Sequence, residues 1–176
     1  MAGVNEDLEF VPVNIAILTV SDTRSLDTDK SGDILRDRIE TAWHKLADRK
    51  ILRDDVAEVR AAVSAWIADP SVDVVITTGG TGLTGRDVTP EAVRPLFDKE
   101  IEGFAAVFHQ VSYRNVGVST LQSRAAAGLA RGTFVFMLPG SSGAVKDGWD
   151  EIIRYELDAR YEPCNLIALM PRLMEK

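Results

Sequence analysis

The residue best placed to do chemistry is Asp87, a lone carboxylate in a glycine-rich stretch that runs Thr77-Thr78-Gly79-Gly80-Thr81-Gly82 and then Gly85-Arg86-Asp87-Val88-Thr89-Pro90-Glu91-Ala92. Glycines 79, 80 and 82 leave no Cβ to keep a ligand off the backbone, so successive amides can converge on an oxyanion. A carboxylate inside a loop built for phosphate raises the electrostatic cost of an anionic ligand unless a cation arrives with it. The chemistry implied is phosphate held through a magnesium ion that bridges Asp87 and phosphate oxygens.

A second loop repeats the layout. The apolar run 133–138 ends in Pro139-Gly140-Ser141-Ser142-Gly143, and an apolar-periodic stretch follows. Pro139, Gly140, Ser141 and Ser142 are therefore candidate contacts to a second anionic group, with Ser142 the stronger candidate for the helix cap and Ser141 for the ligand. In an open α/β sheet, ligands sit outside the carboxyl ends of the strands, so the two loops line one crevice if their strands are neighbours.

The elements that must position these loops alternate. Residues 13–20 and 72–77 are β-branched, apolar runs suited to strands buried on both faces. Ser31 is the expected cap of a first helix, with Ile34, Leu35, Ile39 and Leu46 inward. A short strand over 49–52 precedes a helix whose buried face is Val56, Val59, Ala62, Val63, Trp66 and Ile67, stopping before Pro70. Thr89 is the expected cap of a helix near 90–98, with Pro90 at its first position and Glu91 in its first turn. Helices are expected near 101–112 and 121–130, and from 144 to 159 with Val145, Trp149, Ile152, Ile153 and Leu157 on one face. Such alternation predicts a three-layer αβα sandwich with a mostly parallel sheet, as a single domain over 12–176 behind a mobile arm over 1–11.

Composition sets limits. A net charge of −7 argues against nucleic acid or an anionic membrane as partner. A single cysteine, Cys164, precludes an intrachain disulfide and a cysteine metal cluster, so a reducing, cytoplasmic setting is expected. No apolar run approaches the roughly 20 residues that cross a bilayer. His44 and His109, the only histidines, have no carboxylate at metal spacing and read as structural. No lysine follows Gly82 at P-loop spacing, and no GxGxxG follows the first strand, which sets aside the common nucleotide-binding folds.

The order TVSD, DxSG, TTGGTG-x-x-GRDVTPEA and PGSSGAVKDGWDEII over residues 13–163 resembles the molybdopterin-binding proteins of molybdenum cofactor biosynthesis, MoaB/MogA type. Residues 119–125 (STLQSRA) and the ending over 157–165 are most similar to the B-type members. The resemblance implies adenylyl transfer, in which MgATP and molybdopterin give adenylyl-molybdopterin and pyrophosphate. It implies Asp87 and Asp54 as the catalytic, magnesium-holding carboxylates. Asp55, one step away, could instead be that carboxylate or cap the helix that follows. Substrate contacts are implied at Ser21, Asp22, Thr78, Gly79, Gly80, Thr81 and Gly82 and at the 139–142 loop. Some B-type members lack the aspartate of the GRD motif; this chain keeps it, which favours an enzyme over a carrier that binds molybdopterin without turnover. The resemblance further implies a homotrimer or a homohexamer. Trp43 departs from the glycine that relatives often place there, which suggests a longer first helix or a side chain offered to a subunit interface.

Overall fold

The computed structural model describes residues 2–175. Its strands are β1 (Gly3–Val4), β2 (Asn14–Val20), β3 (Lys45–Leu52), β4 (Val74–Thr78), β5 (Lys99–Glu100), β6 (Ala126–Ala130), β7 (Thr133–Leu138) and β8 (Tyr161–Glu162). Its helices are α1 (Lys30–Thr41), α2 (Val56–Ala68), α3 (Thr89–Val93), α4 (Glu102–Val116) and α5 (Ser142–Gly148). Helix α5 runs on through a π turn (Trp149–Ile153) into a last α turn (Arg154–Glu156).

Six strands form one sheet in the order β3-β2-β4-β7-β6-β5. The first four are mutually parallel, while β6 and β5 add an antiparallel edge. Side chains alternate between faces, as the two-residue period of a strand requires. Ile15, Ile17, Val74, Ile76, Phe134 and Phe136 meet α1, α4 and α5. Ala16, Leu18, Val75, Val135 and Met137 meet α2 and α3. The three-layer αβα sandwich is thus formed, and its central strands are apolar on both sides because both sides are covered.

Several local readings are corrected. Helix α1 is capped by Asp29, whose Oδ1 accepts from the Gly32 amide at 2.9 Å, and Ser31 sits inside the first turn. Leu46 belongs to β3, which is longer than the expected 49–52. Thr89 does not cap α3: the cap position is Val88, and the Thr89 hydroxyl donates to the Gly79 carbonyl at 2.8 Å. The helix expected near 90–98 ends at Val93, continues as a 3-10 turn (Arg94–Leu96) and gives way to β5. The helix expected at 121–130 is a 3-10 turn (Gly117–Gln122) followed by strand β6.

The first helix is not lengthened by Trp43. Helix α1 ends at Thr41; the Trp43 amide donates to Glu40 at 3.0 Å and the His44 amide to Ile39 at 3.0 Å, with Trp43 at φ 65°. This is a Schellman ending with tryptophan in the left-handed position that glycine ordinarily takes. Part of the arm expected to be mobile is tied to the domain, since β1 pairs with β8 and the Asn5 amide donates to the Arg160 carbonyl at 2.9 Å. Met1 lies outside the described residues. No helix among the described residues is long and apolar enough to cross a membrane.

Candidate functional site

From β2 the chain passes through α1 to β3 on one side, then through α2 to β4 on the other, so the sheet changes winding direction between β2 and β4. At such a switch point the loops leave in opposite directions and open a crevice. The register sets Thr19, Thr78 and Leu138 side by side at the carboxyl ends of β2, β4 and β7. The loops that follow border a cavity of about 640 Å³. Both glycine loops therefore share one site.

The first loop is held in shape from outside. A Cβ on Gly79, at φ 99°, would stand 2.2 Å from the Val20 carbonyl oxygen, and one on Gly80, at φ 63°, 2.4 Å from Thr89 Oγ1 and 2.9 Å from Asp54 Oδ1. Glycine is the residue that tolerates both the positive φ and the contact. Arg124 collects the loop's carbonyls: its amide donates to Thr81 at 3.0 Å, Nε to Gly82 at 2.9 Å and Nη2 to Asp87 at 2.9 Å, while Nη1 pairs with Glu91. Across a planar trans peptide the C=O and N–H point opposite ways, so holding the Thr81 carbonyl turns the Gly82 amide toward the Asp87 carboxylate.

The two carboxylates differ. Asp87 Oδ2 accepts from the Thr84 hydroxyl at 2.6 Å and amide at 2.9 Å. That hydroxyl first, then the Thr84 and Gly82 amides and the Arg124 charge, hold its carboxyl below the usual range against a smaller effect of burial. Asp54 has the reverse balance. Burial, then the negative charges of Asp22 and Asp87, push its carboxyl up against smaller opposing pulls from the Arg86 charge and the Asp22 amide. Asp55 caps α2, accepting from the Glu58 amide at 2.9 Å, which leaves Asp54 free for the cavity.

In the second loop the cap is Ser141, whose Oγ accepts from the Ala144 amide at 3.1 Å, and Ser142 is the first helical residue, which reverses the expected preference. The Thr78 hydroxyl donates to the Pro139 carbonyl at 3.0 Å and the Ser31 hydroxyl to the Gly140 carbonyl at 3.2 Å. These bonds fasten the loop to β4 and α1.

Ser21, Asp54, Thr78, Gly79, Gly80, Thr81, Gly82, Asp87, Pro139, Gly140, Ser141 and Ser142 all line the cavity. Asp22 does not. It lies outside, its carboxylate gripped by Arg86 through Nε at 2.9 Å and Nη2 at 2.7 Å, because its loop turns away after β2. Sequence reasoning gave no role to Arg24, Lys30 or the buried Asp29, the last quoted only within the DxSG motif, and all three also border the cavity. Asp29 accepts from Thr19 Oγ1 at 2.7 Å and Arg49 Nη2 at 2.8 Å, an arrangement no local pattern reveals. It also missed Ser123, whose buried Oγ has no hydrogen-bond partner among the described residues and which lines the same cavity.

The histidines are structural. His44 is buried and its Nδ1 accepts from the Val13 amide at 3.2 Å, while His109 Nδ1 and Thr120 Oγ1 share a 2.8 Å hydrogen bond. Among the described residues no group of three or more His, Cys, Asp or Glu side chains is placed to hold a metal on its own.

A family profile described as "Probable molybdopterin binding domain" matches residues 16–159. The chain belongs to this molybdopterin-binding family. It is 52% identical over 157 residues to molybdenum cofactor biosynthesis protein B of Escherichia coli strain K12, an alignment that covers 89% of this chain and 92% of that one. A crystal structure of a molybdenum cofactor biosynthesis protein B superposes with a TM-score of 0.84 at 41% identity, covering 94% of this chain and 98% of the other. The tungsten cofactor synthesizing protein MoaB from Pyrococcus furiosus superposes with a TM-score of 0.72 at 41% identity, covering 80% and 90%. These relatives carry the B-type name that residues 119–125 and 157–165 imply, and the chain is accordingly a molybdenum cofactor biosynthesis protein.

Proposed function

We propose that the protein binds molybdopterin and adenylylates it with ATP and magnesium, releasing pyrophosphate. The observation that carries this reading is the pair Asp54 and Asp87 beside the glycine loop: a Cβ on Gly80 would touch the first at 2.9 Å and a Cβ on Gly82 the second at 2.7 Å. The Asp87 charge raises the cost of charging Asp54, and a divalent cation held by both would relieve it. A two-carboxylate set also suits magnesium, which keeps waters and takes its remaining oxygens from substrate phosphates.

Attack of the molybdopterin phosphate on the α-phosphorus brings two anions together, so the work is neutralisation and alignment, and no protein nucleophile is needed. The glycine-loop amides would hold nonbridging oxygens of the α-phosphate. Asp54 and Asp87 would hold magnesium, which when bound offsets charge on the phosphate oxygens. Ser141, Ser142 and the α5 N-terminus would orient the phosphate end of molybdopterin, and the unpartnered Ser123 Oγ offers it a further hydrogen bond.

Binding without turnover is the second reading, and one observation favours it: Asp87 Oδ2 is already committed to Thr84, as a purely structural loop carboxylate would be. Purified protein incubated with molybdopterin, ATP and magnesium, followed by chromatography, separates the two. An adenylylated pterin that requires all three supports transfer. Molybdopterin retained unmodified would leave a carrier.

We also propose a cytoplasmic homotrimer or homohexamer. Trp43 at 81% exposure, and Tyr113, Val118 and Leu121 at 58%, 69% and 75% on and after α4, offer more apolar surface than a monomer needs. Light scattering that returned the 19.3 kDa of one chain at micromolar concentration would remove the assembly.

A further inference from the structure

Beside the main cavity, past the loop over residues 21–26, lies a second concavity of about 420 Å³. The two share Ser21, Thr23 and Arg24, so they adjoin along that segment. Its charged side chains are Asp22, Arg24, Arg49 and Arg53. Asp22 is neutralised by Arg86, and Arg49 by Asp29 and Asp33. Arg24 and Arg53 remain. Among the described residues neither has a carboxylate partner, and the one side-chain hydrogen bond of Arg24 goes to the Thr28 carbonyl at 3.3 Å. Arg49 borders the same groove, and its buried Nε has no partner among the described residues. In a chain of net charge −7, two guanidiniums without a salt-bridge partner among the described residues, in a groove that adjoins the cavity, form a local exception.

We propose that this groove is a polyphosphate subsite, which receives the β- and γ-phosphates of a nucleoside triphosphate and holds pyrophosphate as it departs. The inference rests on the nucleotide reading above and adds a direction to it. Strand β4 lies between β2 and β7, so the loop over 79–82 is flanked by the 21–24 segment on one side and the 139–142 loop on the other. In-line displacement requires attacking and leaving oxygens on opposite sides of the α-phosphorus. With molybdopterin at the β7 side, the leaving group exits on the β2 side, toward Arg24 and Arg53. There an oxygen of the pterin phosphate forms a bond to the α-phosphorus, the bond from that phosphorus to the α,β-bridging oxygen breaks, and its electron pair leaves on pyrophosphate. No proton has to move when the attacking phosphate is ionised. Guanidinium groups suit the product because their planar forks match phosphate oxygens two at a time.

The test is calorimetric titration of the intact protein with inorganic pyrophosphate, ATP and AMP, each with magnesium. The expected result is that an Arg24→Gln, Arg53→Gln double variant loses at least about tenfold in affinity for pyrophosphate and ATP while AMP changes by less than about twofold. An Arg24→Lys, Arg53→Lys variant, which keeps the charge, should recover part of the loss and guards against a folding defect. Wild-type protein that does not bind pyrophosphate, a double variant that binds it as well as wild type, or an equal loss for AMP would each overturn the subsite. Failure of the transfer reading looks different: pyrophosphate binding that depends on both arginines, with no adenylylated pterin formed, leaves the groove standing and removes the reaction.

Discussion

Gly140 and Gly79 touch: a Cβ on Gly140 would lie 3.0 Å from the Gly79 Cα. The two phosphate-type loops are thus packed backbone to backbone, and the Gly79 amide donates to the Leu138 carbonyl at 3.0 Å beneath them. Gly140→Ala should push the loops apart, with a loss of about 1 to 3 kcal/mol of stability as for other overpacking substitutions. Urea denaturation reads the stability, and calorimetry with molybdopterin should show weaker binding. An unchanged midpoint would mean that the loops yield freely.

Asp87→Asn is nearly isosteric and can still accept from Thr84. The expected outcome is a fall in adenylyl transfer of at least about a hundredfold, on the order of 3 kcal/mol of barrier, with little change in molybdopterin affinity. Steady-state turnover beside calorimetry measures both. Full turnover in this variant would confine Asp87 to its hydrogen bonds with Thr84.

Arg124 lies outside the cavity and should act only through the loop that it holds. Arg124→Lys keeps the charge and loses the fork that reaches the Gly82 and Asp87 carbonyls together. Turnover is expected to drop by about tenfold or more, a size typical of a misplaced catalytic group. The acid limb of the pH profile should also move up, as the released loop turns away the Gly82 amide that helps keep the Asp87 carboxyl low. A merely destabilised protein would lose activity with no shift of that limb.

Burial, against a smaller opposing pull from Asp158, lowers the pKa of His44 from 6.5 to about 4. The folded state therefore binds this proton less readily than the unfolded chain. Its stabilising contribution is complete above pH 6.5 and is lost as pH falls toward 4, reaching about 3 kcal/mol. Protonation would also turn Nδ1 into a donor facing the Val13 amide. His44→Asn keeps an acceptor and cannot titrate, so its unfolding free energy should vary less between pH 6.5 and 4 than that of wild type. Parallel curves for the two proteins would contradict the assignment.

Trp43 combines φ 65° with 81% exposure. The left-handed conformation costs a non-glycine residue roughly 1 to 2 kcal/mol, and in the protomer this side chain recovers little by packing. Trp43→Gly should raise the stability of the separated protomer by about 1 kcal/mol, partly offset by the freer unfolded chain. If the indole is buried between subunits, the same change should lower the mass measured by light scattering at fixed concentration.

The central strands were legible because burial on both faces demands unbroken β-branched and aromatic runs, as in Val74-Val75-Ile76. Strand β6 was not, because Ala126-Ala127-Gly128-Leu129-Ala130 has small residues for a tertiary reason: a Cβ on Gly128 would fall 2.3 Å from the Phe97 ring. The site was legible where backbone geometry writes itself into glycine, as at Gly79 and Gly80. Local sequence left open which of Asp54 and Asp55 caps α2, and the geometry of that cap decided it. Arg124 was quoted only as part of a motif, since nothing near it in sequence shows that it reaches back more than forty positions to Thr81 and Gly82.

The sheet ends in β3 on one side, with Lys45, Asp48, Arg49 and Lys50 along it, and on the other in β5, two exposed charged residues long. Unpaired strand edges invite another chain to continue the ladder, and short or charge-studded edges discourage it. A second copy of this protein thus has no inviting strand to extend. Such edges favour contact through helices and loops and set growth by endless strand addition apart from any closed assembly.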